Sequence, residues 1–160
     1  MGQDFTDKIT AKKGGIYCFN KAWELLNKRE LSADEKIELL TLVHASFWLW
    51  EQVPEKTKTN ISIGYWQISR AYAVIQEGNL AMVYAEKCIR ISNDSSVDSF
   101  YLAYGYEALS RALIILKKPD QAKEALEKAK TIYTDTKENH ISGLVKDLSE
   151  LENIIKQEKE

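Results

Sequence analysis

Apolar residues recur three and four positions apart through most of this chain, the spacing of one helical face, and nowhere alternate singly over a strand's length. Ile16, Phe19, Trp23 and Leu26 form one such stripe, which predicts a first helix from Asp4 or Thr6 to about Lys28. Gly14 and Gly15 interrupt it; each costs about 1 kcal/mol in a helix interior, so a break or loosening is expected there. Ser32 followed by Glu35 is a capping box that opens a second helix, and Pro54 stops it near Val53. From His44 to Trp50 this helix is apolar nearly all round, so it is expected to be covered on more than one side. Thr59 or Asn60 caps a third helix, Gly78 is its expected left-handed C-terminal residue, and Asn79 caps a fourth. Ser95 or Ser96 with Asp98 starts a fifth helix that ends at Lys117 and Lys118, and Pro119 suits the first turn of a sixth. Asp135 with Glu138 three residues on opens a seventh. It carries Ile141, Leu144, Val145, Leu148, Leu151 and Ile155 on one face, and its charged outer face suits a capping helix.

The pattern also repeats. Tyr65 to Ile91 returns without a gap as Tyr106 to Ile132, a period of 41 residues (106 − 65). Repetition at this scale marks stacked helical hairpins. The matched positions are Tyr65, Ile68, Ser69, Tyr72, Ala81, Ala85 and Cys88 in the first copy. In the second they are Tyr106, Leu109, Ser110, Leu113, Ala122, Leu126 and Ala129. Ser69 and Ser110 are small where the second helix of each hairpin crosses closely, and Ala81 and Ala122 are the reciprocal small residues. These hairpins, over about residues 60–135, resemble tetratricopeptide repeats. Two features depart from that pattern: Asn93 and Thr134 stand where a closing proline is usual, and the period exceeds the usual one of about 34 residues. The excess is roughly two helical turns, which would lengthen the fifth helix without rotating its faces.

More narrowly, His44-Ala45-Ser46 with Trp50, Trp66, Ile68-Ser69-Arg70, Tyr72-Ala73-Val74, Ala85 to Cys88 and Tyr104 to Arg111 resemble a group of uncharacterised bacterial helical proteins, a likeness that brings no activity. The expected fold is all-α: a right-handed superhelix of about seven helices built from antiparallel hairpins. Residues 1–160 form one domain in this reading. It comprises an N-terminal helix pair (1–54), hairpins over 60–94 and 98–135, and a C-terminal capping helix (136–160).

Charge removes several function classes. The net charge of −2 supplies no electrostatic footprint for nucleic acid or an anionic membrane. Two cysteines, Cys18 and Cys88, are too few and too far apart for a metal cluster or disulfide framework, and suit buried thiols of a cytoplasmic protein. Met1-Gly2 begins a crude myristoylation pattern, but no basic patch or second acylation signal follows it.

About 100° round the helix from the packing stripe lies a second one: Ile63, Trp66, Arg70 and Ala73 in the third helix, and Tyr104, Glu107, Arg111 and Ile114 in the fifth. The tetratricopeptide resemblance implies that these positions line an inner, ligand-facing groove. Arg70 and Arg111, at equivalent repeat positions beside Trp66 and Tyr104, would grip a carboxylate or phosphate while the aromatics supply apolar contact. The plainer alternative pairs Arg111 with Glu107 one turn earlier and lays Arg70 over Trp66. His44 and Trp48 are expected to close one end of the groove. A general-base role for His44 would need an orienting carboxylate, which no spacing supplies. The expected function is a non-catalytic binding or adaptor module, with no cofactor or metal, for a protein or peptide segment or an anionic small ligand. The alternatives are self-association into a homodimer through Phe47–Trp50 or the terminal helix, and an enzyme centred on His44.

Overall fold

The structure, a computed structural model, describes residues 8–135 and 142–158. They form α1 (Lys8–Leu26), α2 (Ala33–Glu51), α3 (Lys58–Val74), α4 (Gly78–Ser92), α5 (Ser99–Ile115), α6 (Pro119–Asp135) and α7 (Ser142–Glu158), with no strand among them. Each of the pairs α1–α2, α3–α4 and α5–α6 packs as a hairpin; α2 rests on α3, α4 on α5, and α7 closes on α5 and α6. Among the described residues no helix is long and apolar enough to cross a membrane.

Local chemistry accounts for several helix ends. Ser32 Oγ accepts from the Glu35 amide at 3.2 Å and Glu35 Oε2 from the Ser32 amide at 2.9 Å, the capping box expected for α2. α3 starts earlier than Thr59 or Asn60. Thr57 is its cap and Asn60 Oδ1 accepts from the Thr57 amide at 2.9 Å, so an asparagine amide stands where the capping box usually has glutamate or glutamine. Asp98 alone caps α5, accepting from the Phe100 amide at 2.8 Å. The predicted starts at Asp4 or Thr6 and at Asp135–Glu138 fall on or beside residues outside those described.

Three glycine and length expectations are corrected. α1 runs unbroken through Gly14 and Gly15, because α2 crosses there: a Cβ at Gly15 would lie 2.9 Å from the Trp50 ring, and one at Gly14 3.1 Å from Leu49. The buried face of α1 is therefore Ala11, Ala22 and Leu25, while Ile16 is 41% exposed. Gly78 is not the left-handed residue after α3. Gln76 is, at φ 66°, and Lys117 takes the equivalent place after α5 at φ 57°. The Glu77 amide donates to the Tyr72 carbonyl and the Lys118 amide to Leu113, both at 2.9 Å, so each hairpin turns through the same Schellman closure. Gly78 instead opens α4 against Leu116 and Ile115, where a Cβ would come within 2.9 Å of side-chain atoms. Finally, α5 has the same 17 residues as α3, so the long period is not housed in α5 alone. It is shared between both first helices and the loop at 93–98.

The serines at the hairpin crossings do more than stay small. Ser69 Oγ donates to the Ala81 carbonyl and Ser110 Oγ to the Ala122 carbonyl, each at 2.7 Å and each buried. One hydrogen bond thereby ties the first helix of each hairpin to the second at the point of closest approach. Ala81, Ala85 and Cys88, and in the next hairpin Ala122, Leu126 and Ala129, are buried beside it. α7 docks through Leu144, Leu148, Leu151 and Ile155 onto the core made by α5 and α6, leaving Val145 outside.

Candidate functional site

The first helix of each hairpin and α7 share one face, and that face holds a cavity of about 450 Å³. Its apolar walls are Trp23 from α1, Ile63 and Trp66 from α3, and Tyr101 and Tyr104 from α5. The aromatic rings touch in a row: Trp23 and Trp66 have centroids 5.5 Å apart, and Trp66 and Tyr104 meet edge to face at 5.1 Å. Ser62 and Cys88 form the floor, where the Ser62 hydroxyl hydrogen-bonds that of Ser92 at 2.6 Å. Burial pushes the Cys88 thiol up to about 11, so it sits there as an inert thiol. The remaining wall is mostly polar: Asn27 from the turn after α1, Arg70 from α3, and Gly143, Lys146, Asp147 and Glu150 from α7.

Behind Trp66 lies a four-residue ion network. The Glu107 carboxylate is 0% exposed and accepts from Trp66 Nε1 at 3.0 Å, Arg70 Nη1 at 3.3 Å, and Arg111 Nε and Nη2 at 3.0 and 2.6 Å. Asp147 Oδ1 lies 3.5 Å from Arg70 Nη2 and 3.9 Å from Arg111 Nη2. Burial pushes the Glu107 carboxyl up, but the Arg111 and Arg70 charges and the Trp66 hydrogen bond outweigh it and hold the group below its ordinary value. At Asp147 burial wins over the same arginines and the carboxyl is raised. Tyr104 is pushed up to about 12 by burial and by the Asp147 and Glu107 charges.

Of the residues expected in the groove, Trp66, Arg70 and Tyr104 line the cavity. Glu107 stands behind the wall as the hub of the network. Arg111 joins that network but borders a different hollow of about 330 Å³, floored by Val74, Ile114, Ile115 and Leu151. The Arg111–Glu107 pair of the plainer alternative is present, whereas Arg70 reaches the two carboxylates.

His44 and Trp48 do not close the groove, because α1 and not α2 lies beside α3 on this face. His44 points into the α2–α3–α4 contact, where Nε2 meets the Tyr72 hydroxyl at 2.8 Å and the Tyr72 and Tyr84 rings flank it at 5.7 and 5.8 Å. Burial lowers its pKa, and its hydrogen-bond partner is a hydroxyl, so the general-base role lacks the carboxylate it needs. Trp48 is 49% exposed on α2, while Phe47 packs on Tyr65 at 4.6 Å and Leu49 and Trp50 cover the α1 glycines. Self-association through this segment would therefore rest on Trp48.

Sequence reasoning missed Trp23, Asn27, Tyr101, Lys146, Asp147 and Glu150. Trp23 was visible only as one of an apolar stripe, and Tyr101 lies one turn before Tyr104, so helical spacing could have found it. Nothing local marks Asp147, whose arginine partners lie on other helices. Among the described residues no group of three or more His, Cys, Asp or Glu side chains is arranged to hold a metal ion.

Stacked antiparallel hairpins with a cavity on the face of their first helices define a tetratricopeptide-like all-α fold. The chain is similar to a crystal structure of a TPR-like protein from Chlorobium tepidum, with a TM-score of 0.71, 15% identity, and 94% of this chain and 97% of that one covered. At that identity the likeness is one of fold. No protein-family model matches the sequence, and neither does any curated protein.

Proposed function

We propose that the protein is a non-catalytic binding module whose aromatic cavity takes an apolar or aromatic side chain of a partner's peptide segment. The observation that carries this reading is the row Trp23, Trp66, Tyr104 along a cavity of about 450 Å³. Concave sites with aromatic walls and a few convergent polar groups are where ligands bury most surface. Tetratricopeptide-like scaffolds generally mediate protein binding, which favours a peptide over a free small molecule. An anionic ligand fits less well than the sequence alone suggests, since Glu107 and Asp147 already answer both arginines.

Gly143 gives a direct test. A Cβ there meets only the Tyr104 hydroxyl, at an ordinary 3.5 Å, so Gly143→Leu puts a side chain into the cavity without a backbone clash. Replacing a helical glycine should also leave stability unchanged or raise it by up to about 1 kcal/mol. Peptides selected from a random display library on the native protein should bind Gly143→Leu more weakly by about tenfold or more. Equal affinity for both proteins would remove the cavity from consideration.

A further inference from the structure

The cavity mixes aromatic walls with four charged side chains, and what it accepts depends on how those charges cancel. The inner pair of guanidiniums, Arg70 and Arg111, faces the inner pair of carboxylates, Glu107 and Asp147, so the network is neutral. Lys146 and Glu150, which also line the cavity from α7, carry opposite charges and add nothing to the sum. The two inner carboxylates are not equivalent. Glu107 is 0% exposed and accepts from Arg111 at 2.6 and 3.0 Å and from Arg70 at 3.3 Å; Asp147 is 18% exposed, lies 3.5 Å from Arg70 and 3.9 Å from Arg111, and forms part of the cavity wall. Glu107 therefore fixes where the guanidiniums sit. Asp147 decides whether the cavity carries a surplus positive charge.

We propose that Asp147 is a specificity-determining residue: by cancelling the arginine pair it makes the aromatic cavity accept a neutral anchor and turn away a carboxylate. This rests on the cavity being the binding site. The helix that carries Asp147 is held by Leu144, Leu148, Leu151 and Ile155, all buried, so its docking does not depend on the Asp147 charge. Removing that charge without changing shape would leave one guanidinium charge uncompensated at the wall of an aromatic-lined pocket, where a charge-assisted hydrogen bond to a ligand carboxylate is stronger than in open water.

Asp147→Asn tests this with three probes of nearly the same shape: hydrocinnamamide, hydrocinnamate and phenethylammonium. Binding is read from the indole N–H resonances of Trp23 and Trp66 in nuclear magnetic resonance titrations. The native protein is expected to bind the amide better than the carboxylate. Asp147→Asn should reverse that order, shifting the carboxylate-to-amide affinity ratio by about tenfold or more, and Asp147→Asn with Arg70→Gln should abolish the reversal. Unchanged methyl resonances of Leu144 and Leu148 would confirm that α7 stays docked; their displacement, with the reversal absent, would make Asp147 a docking residue and overturn the proposal. An unchanged ratio in a docked variant would also overturn it, as would native protein that binds hydrocinnamate as tightly as the amide. If no probe binds either protein, the cavity itself is not the site, and the proposal fails with it.

Discussion

Glu107 is a carboxylate with no solvent contact, surrounded by an indole N–H and two guanidiniums. Its sequence position suggested a place in the ligand-facing groove or, as the plainer alternative, a surface pair with Arg111 four residues on, which is worth a few tenths of a kcal/mol. Burial changes the scale, because removing one member of a buried ion network leaves uncompensated charge and costs about 3–5 kcal/mol. Glu107→Gln is expected to lose stability in that range by urea denaturation at neutral pH. The pH dependence has a definite sign. Glu107 is held below its ordinary value of 4.5 in the folded state, so the unfolded chain binds more protons. Its contribution is present above about that value and is lost as the pH falls through the lower folded-state value. Asp147, raised in the folded state, works the other way, its contribution being lost as the pH rises through the raised value. Native protein should therefore lose urea resistance in acid more steeply than Glu107→Gln does; parallel curves would show that Glu107 does not titrate as described.

Turns and crossings at the scale of the element were read from sequence with mixed success. The Ser32–Glu35 box and the Ser69 and Ser110 crossings were legible because their partners lie within one turn or recur at the repeat period. Gly78 misled because glycine serves two physical purposes, left-handed backbone and close approach, and sequence does not say which. Here a non-glycine residue bears the left-handed strain at Gln76 and again at Lys117. A substitution pair separates the two purposes. Gln76→Gly should raise stability by roughly 0.5–1 kcal/mol by relieving that strain. Gly78→Ala should lower it by about 1–3 kcal/mol, since the new methyl meets Leu116 and Ile115. Thermal unfolding of both proteins checks the contrast, and a stabilised Gly78→Ala would refute the packing account.

Across the whole molecule, α7 decides what the shared face presents. It covers the α5–α6 core with four apolar side chains and sets Asp147 against arginines from two other helices. Leu148→Ala should cost about 2–5 kcal/mol and loosen this helix first. Hydrogen exchange is expected to quicken at α7 amides more than at α3; uniform loss of protection would mean that α7 has no separate role in the fold. Periodicity, caps and the 41-residue repeat, all carried by residues near in sequence, were enough to indicate about seven helices paired into hairpins, as the described residues show, and the resemblance carried by the repeat positions implied the tetratricopeptide-like class. The same local signals picked out Trp66, Arg70 and Tyr104, because helical spacing assigns a face. Only the tertiary structure decided that Trp23 and Tyr101 complete the cavity, that His44 belongs to another contact, and that the arginines carry no surplus charge. The physical reason is that a side chain's own charge is written in the chain, whereas the field at a site sums over every charge that packing brings to it.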